Sequence, residues 1–282
     1  MICPDSWVFV AHHNCKIDAI MGGGRRPRDG VTIRGVKDAI TAGTMTFAAR
    51  SGDEIEAYLA QPVGGPAAGG VVVIHHAPGF DAGTKEITRR FATWGYAAVC
   101  PNLNHRLAPG AEPDDAAAAA RARGGKADDE LLDDVAGAVA YLRALPDGPA
   151  RVATIGHCSG GRQSVLAACE LDIDAAVDCY GAFVLGDAPA EFPLRMTSLR
   201  ERLPNLRAPL LGLFGNDDKY PAPAEVDELD KLLTELGKEH EFHRYDDAGH
   251  AFFSTDRPSY RPQAAVDGYR HIRAFFARHL GS

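Results

Sequence analysis

Two glycines four residues apart, Gly156 and Gly160, with Cys158 midway between them, constrain this chain more than any other feature. The residues before them, Val152 to Ile155, form a short apolar run that reads as a buried strand. Those after them, from Arg162 to Cys169, read as the start of a helix. A strand that passes directly into a helix through so short a turn thrusts the central side chain outward and leaves no room for Cβ atoms on either side. The spacing makes Cys158, rather than Ser159, the central residue.

The rest of the chain supplies the sheet that such a turn needs. Met45 to Ala49 and Ile55 to Ala60, joined by Arg50-Ser51-Gly52-Asp53-Glu54, predict a β-hairpin. Val71 to Ile74 is a continuous apolar strand of the kind buried on both faces of a parallel sheet. A helix with Thr84 as its expected N-cap runs through Phe91 to Trp94 and stops at Gly95, and Tyr96 to Cys100 is the next strand. Residues 113–123 predict an Ala-rich helix, and Asp128 to Leu145 a second one with Leu131, Val135, Ala138 and Leu142 on one stripe. Strands at Ala175 to Tyr180, Pro209 to Phe214 and Glu241 to Tyr245 follow, with helices over 223–236 and Gln263 to Leu280. The irregular, Pro-containing stretch from Gly181 to Leu206 is expected to form a cap or rim. Alternation of this kind predicts an α/β fold, a doubly wound and mostly parallel sheet with the hairpin at its antiparallel edge. Residues 41–282 are read as one domain. Residues 1–40, with their Gly22-Gly23-Gly24-Arg25-Arg26-Pro27 run, are read as a flexible extension in which Met21 is a second candidate start.

Composition narrows the function classes. The net charge of -8 gives no broad attraction to nucleic acid or to anionic membranes. No run approaches the roughly 18 to 20 apolar residues of a spanning helix, and Met1 to Asp5 lacks the basic start of a secretory signal, so the protein is expected in the cytoplasm. The six cysteines are scattered without a Cys-x-x-Cys pair, and no His/Cys cluster has metal-ligand spacing. Neither a disulfide framework, a metal nor a cofactor is expected, and the partner is a small molecule.

Chemistry gathers at the carboxyl ends of the strands of such a sheet. Loops carrying His75-His76-Ala77, Asn102 to Arg106, His157 to Gly160, Gly215 to Asp218 and Asp247 to Phe253 all meet that description. Cys158 is the expected nucleophile, His250 the base that takes its proton, and Asp217 or Asp218 the acid that orients the imidazole. The order nucleophile, acid, histidine is that of the α/β-hydrolase arrangement. A thiol at a helix N-terminus beside a histidine can have its pKa lowered from about 8.5 into the range of roughly 3.5 to 7.5. A different class of function remains open at this point, a non-catalytic protein of the same fold in which Cys158 is a redox-sensing thiol.

Gly156-His157-Cys158-Ser159-Gly160-Gly161, Cys100-Pro101-Asn102-Leu103-Asn104-His105-Arg106, Gly215-x-x-Asp218 and Ala248-Gly249-His250-Ala251-Phe252 together resemble the dienelactone hydrolase (carboxymethylenebutenolidase) family over roughly residues 45 to 280. The resemblance implies an α/β-hydrolase fold, Asp218 as the acid, and an oxyanion hole from the backbone N–H groups of Ser159 and Ala77. It also implies Arg106 as the arginine that takes a substrate carboxylate. The reaction it implies is hydrolysis of a lactone or small ester, including dienelactones in aromatic degradation, through a thioester. Two positions depart from the family pattern. His76 stands where a glutamate is expected, and is read either as loop packing or as a substrate or acid/base contact. Ser254 stands where a second arginine is expected, with Arg257 as a stand-in.

Overall fold

The computed structural model describes residues 39–77 and 79–281. The expected N-terminal extension therefore lies outside the described residues, save for its last two positions. An eight-stranded sheet runs in the order β1-β2-β4-β3-β5-β6-β7-β8. The strands are β1 (Ile40–Ala48), β2 (Glu54–Pro62), β3 (Gly70–Ile74), β4 (Ala97–Pro101), β5 (Val152–His157), β6 (Ala175–Cys179), β7 (Leu210–Gly215) and β8 (His240–Tyr245). β1 and β2 form the expected hairpin, with Phe47 opposite Ile55, and β2 lies antiparallel to β4. Every other pairing is parallel.

The helices are α1 (Ala82–Thr93), α2 (Pro113–Arg123), α3 (Asp128–Arg143), α4 (Ser159–Glu170), α5 (Pro223–Glu235) and α6 (Pro262–His279). Alternation along β3 explains the layering. Val71 and Val73 face a core built with Phe91 of α1 and Ile272, Phe275 and Phe276 of α6. Val72 and Ile74 face the other core, with Leu131, Val135 and Leu142 of α3, Val165 and Leu166 of α4, and Leu229 and Leu233 of α5. Burial on both faces is why β3 reads as a continuous apolar run rather than an alternating one.

The cap of α1 differs from expectation. Asp81 is the N-cap, and its Oδ1 accepts the Thr84 N–H at 2.7 Å. Thr84 is buried inside the first turn, its hydroxyl donating to the Gly79 carbonyl at 3.2 Å. An aspartate three residues upstream competes for the capping position with better acceptor geometry than a threonine.

From β3 the chain winds outward to β4, then crosses back to β5 on β3's other side. The loops after β3 and β5 thus diverge at a topological switch point, where a crevice opens at the carboxyl ends of the strands. The stretch 181–206 holds no helix or strand beyond a short turn at Leu203–Asn205. It is fastened over the crevice by Arg162 Nη2 donating to the Thr197 carbonyl at 2.5 Å and by Arg195 N–H donating to the Gly124 carbonyl at 2.7 Å. Arg162 is itself buried and paired with Asp128 at 2.9 Å.

Candidate active site

Cys158 adopts φ 58°, ψ -124°, between the last residue of β5 and the first of α4. A Cβ on Gly156 would lie 1.8 Å from the Gly160 carbonyl oxygen, and one on Gly160 would lie 2.2 Å from the Ile74 carbonyl oxygen. Strand, turn and helix therefore touch backbone to backbone, and the strain at Cys158 is imposed by contacts on both sides. The helix begins at Ser159, three residues before the expected start, because Gly160 and Gly161 take helical backbone there. This start puts the Cys158 sulfur at the positive end of the helix dipole, which favours a thiolate.

His250 arrives from the loop between β8 and α6. Its Nδ1 lies 2.9 Å from Asp218 Oδ2, which leaves Nε2 as the ring atom available to the sulfur. Asp218 is buried, and its Oδ1 accepts the Tyr220 N–H at 2.9 Å. Asp217, the other aspartate of this turn, is exposed and serves through its backbone N–H, which donates to the Ala248 carbonyl at 2.9 Å.

Burial opposes ionisation of Cys158. The hydrogen bond to His250, the charge of that ring and backbone hydrogen bonds with Ser159 and Ala77 outweigh it and hold the thiol below its usual range. Burial likewise opposes a charged His250, but Asp218 and Cys158 together raise it to about 10. The two shifts have opposite sign, as they must for a thiolate–imidazolium pair. The other described cysteines behave differently. Burial pushes Cys100 and Cys179 far up and Cys169 up to about 12, so among the described cysteines Cys158 alone is held below its usual range.

A cavity of about 210 Å³ opens beside the sulfur, lined by Cys158, Ser159, Ala182, Phe183, Phe192, Leu194, Met196, Asp218, Lys219, Tyr220 and His250. Arg106 is not among these residues. Its guanidinium is occupied by Asp53 at 2.8 Å, Asp133 at 2.8 Å and Asp134 at 2.5 Å, the last fully buried. The structure thus departs from the expected carboxylate-binding role. Three carboxylates, from the β1–β2 turn and from α3, already fill the donors that a substrate would need. Ser254 lies in a separate, smaller cavity, and Arg257 is exposed and lines neither.

The adjacent histidines diverge. Burial holds His75 down to about 4. Its Nε2 accepts the Leu103 N–H at 3.1 Å and its Nδ1 faces the His76 carbonyl at 2.8 Å, so a neutral ring ties the loop after β3 to the loop after β4. His76 Nε2 lies 2.7 Å from Asp81 Oδ2. Burial works to raise Asp81, but the bond to His76 and the α1 N–H of Thr84 hold its carboxyl well below the usual range. His76 lines two other cavities but not the one beside Cys158. Among the described residues no three His, Cys, Asp or Glu side chains converge into a metal-holding group. Nor is any described helix long and apolar enough to cross a membrane.

Residues 55–280 match the Dienelactone hydrolase family. The chain belongs to the dienelactone hydrolase family. It is thereby a hydrolase acting on carboxylic ester bonds. A candidate carboxymethylenebutenolidase of Synechocystis sp. is 31% identical over 234 residues, covering 80% of this chain and 93% of its own length. One of Escherichia coli (strain K12) is 31% identical over 251 residues, covering 86% and 89%. Among solved structures, a candidate dienelactone hydrolase from Klebsiella pneumoniae superimposes with a TM-score of 0.74 at 28% identity, covering 86% of this chain and all of that one.

Within this member of the family, the residues that sequence reasoning missed are those of the rim. Phe183 and Phe192 pack with ring centroids 4.8 Å apart, and Tyr220 lies 5.3 Å from Phe183 and 6.0 Å from Phe192. Phe183 and Phe192 sit in the stretch without periodicity, so no pattern marks the face they present. The one available signal was the concentration of apolar residues, Phe183, Val184, Leu185, Phe192, Leu194 and Met196, in an otherwise irregular segment.

Proposed function

We propose that this chain hydrolyses a lactone or small carboxylic ester with Cys158 as nucleophile, His250 as general acid and base, and Asp218 as the group that orients His250. The observation that carries the reading is geometric: Cys158 stands at φ 58° on the N-terminus of α4 and shares one cavity with His250, whose Nδ1 lies 2.9 Å from Asp218 Oδ2. Ser159 begins α4 directly after the nucleophile and Ala77 lies in the loop after β3, and their backbone N–H groups are the donors assigned to the oxyanion that forms when the sulfur attacks a carbonyl.

In this mechanism the thiolate lone pair forms an S–C bond to the substrate carbonyl, and the C=O π electrons move onto oxygen. The Ser159 and Ala77 N–H groups stabilise that oxyanion, typically by several kcal/mol. Collapse re-forms the carbonyl and breaks the C–O bond, and the departing alkoxide takes the proton from His250. A lactone gives a hydroxy-thioester, and an open ester releases its alcohol. Neutral His250 then removes a proton from water, the hydroxide attacks the thioester, and the C–S bond breaks. The acid is released and the thiolate–imidazolium pair restored.

Turnover of 4-nitrophenyl acetate by wild type, Cys158→Ala and His250→Ala tests this. Both variants should fall to the uncatalysed background. Wild-type activity in Cys158→Ala sinks the mechanism. Rapid peroxide oxidation of Cys158 in a protein without esterase activity would favour the sensing role.

A further inference from the structure

We infer that the cavity beside Cys158 is a subsite for an uncharged apolar group, so that this chain prefers neutral aryl or alkyl esters over substrates bearing a carboxylate. The inference rests on the ester-hydrolase reading above and specifies its substrate class. Apart from the Asp218–His250 pair and Lys219, the side chains lining the cavity are Cys158, Ser159, Ala182, Phe183, Phe192, Leu194, Met196 and Tyr220. Phe183, Phe192 and Tyr220 form a three-ring cluster, each in contact with the other two. Phe183 is buried at φ 62°, a left-handed conformation that costs energy for an aromatic residue.

Size and charge select the occupant. A dry apolar cavity of about 150 Å³ holds a benzene ring in another protein, so about 210 Å³ accepts a ring with a short linker to the scissile carbonyl. The adjoining cavity, which shares Ser159, Leu194 and Met196 and carries Arg121, Lys126, Arg195 and the Arg162–Asp128 pair, is only about 50 Å³, too small for a ring. Anionic recognition within the 210 Å³ cavity would fall to Lys219, which is exposed and stands 5.1 Å from the Tyr220 ring centroid. Arg106, the arginine expected to take a carboxylate, is consumed by three aspartates. A carboxylate placed among Phe183, Phe192 and Met196 would lose its hydration without a buried cation to replace it.

The test compares kcat/KM for 4-nitrophenyl acetate, butyrate and phenylacetate with that for the 4-nitrophenyl monoester of succinate. Each buried methylene should raise kcat/KM about fourfold, and phenylacetate should exceed the succinate monoester by at least tenfold. Phe192→Ala should reduce the butyrate-to-acetate ratio about threefold, and Phe192→Lys should raise the succinate-to-butyrate ratio. A flat chain-length series, or preference for the succinate monoester, overturns the inference. A second measurement reads the pocket without turnover, through protection of Cys158 from iodoacetamide by phenylacetamide and by succinamate. Protection by phenylacetamide at the lower concentration supports the subsite even if no ester is hydrolysed, which would instead sink the catalytic reading. Stronger protection by succinamate overturns it.

Discussion

Asp218 Oδ2 lies 2.9 Å from His250 Nδ1, joining the turn after β7 to the loop after β8 across 32 residues of sequence. Both carboxylate oxygens are engaged, the other by the Tyr220 N–H, so the carboxylate is held from two directions and its bond to His250 sets the ring's tautomer and angle. Asp218→Asn preserves the shape while removing the charge that supports an imidazolium. It should lower kcat by roughly 10²- to 10⁴-fold with a much smaller change in KM. The steady-state kinetics of a neutral aryl ester check this, and unchanged kcat would remove Asp218 from the mechanism.

The opposite shifts on Cys158 and His250 predict a pH profile. A thiol held below its usual range stays thiolate to lower pH than an ordinary cysteine, and its alkylation slows as pH falls through that lowered value. His250, raised to about 10, keeps its proton across the neutral range and loses it only above that value. The midpoint of iodoacetamide alkylation should therefore lie below that of an ordinary thiol. In His250→Ala it should lie at or above the ordinary thiol value of about 8.5. A wild-type midpoint above 8 would exclude the ion pair.

Arg106 is expected to act in the fold rather than on substrate. Its three carboxylate partners fix the β1–β2 turn to α3, and among the described residues Asp134, fully buried, retains only Lys126 at 2.8 Å once Arg106 is gone. Arg106→Gln should cost about 1 to 3 kcal/mol of stability, read by urea unfolding. It should leave the ratio of kcat/KM between carboxylate-bearing and neutral esters where it was in the wild type. A selective loss of the carboxylate-bearing ester would return Arg106 to the substrate site.

These cases also mark where the sequence stops being readable. Val71 to Ile74 declares itself because a strand buried on both faces needs apolar residues at every position, and Gly156 and Gly160 do because no other residue fits a turn that touches its own backbone. His250 stands out through its place after the last strand, while order and placement leave Asp217 and Asp218 equal and only the family resemblance selects Asp218. Arg106 was misleading because its local motif is silent about Asp53, Asp133 and Asp134, which come from distant elements. The Phe183, Phe192 and Tyr220 cluster was invisible because an irregular segment has no period to say which side chains turn inward. Threonine commonly caps helices, which makes Thr84 the expected cap, while Asp81, three residues upstream, takes that place and also holds His76.

The last prediction concerns a group outside the chemistry. Asp178, next to last in β6, is fully buried, and its Oδ1 accepts the Gly181 N–H at 2.7 Å. Its Oδ2 has no partner among the described residues. Burial pushes the carboxyl up to about 7, against the pull of the Gly181 N–H and with a further push from the charge of Glu225. The unfolded chain ionises near the ordinary value of about 3.9. Between those two values the folded state binds a proton that the unfolded state does not, so stability falls as pH rises, by about 1.4 kcal/mol per unit for this one group. Above the folded-state value the penalty is complete, on the order of a few kcal/mol. Asp178→Asn keeps the acceptor for Gly181 and carries no charge, so it should match wild type near pH 4 and exceed it by a few kcal/mol at pH 8. Urea unfolding at both pH values, with 4-nitrophenyl acetate turnover as a check on the neighbouring elbow, decides it. A variant no more stable than wild type at pH 8 would show that Asp178 is ionised and satisfied in the fold.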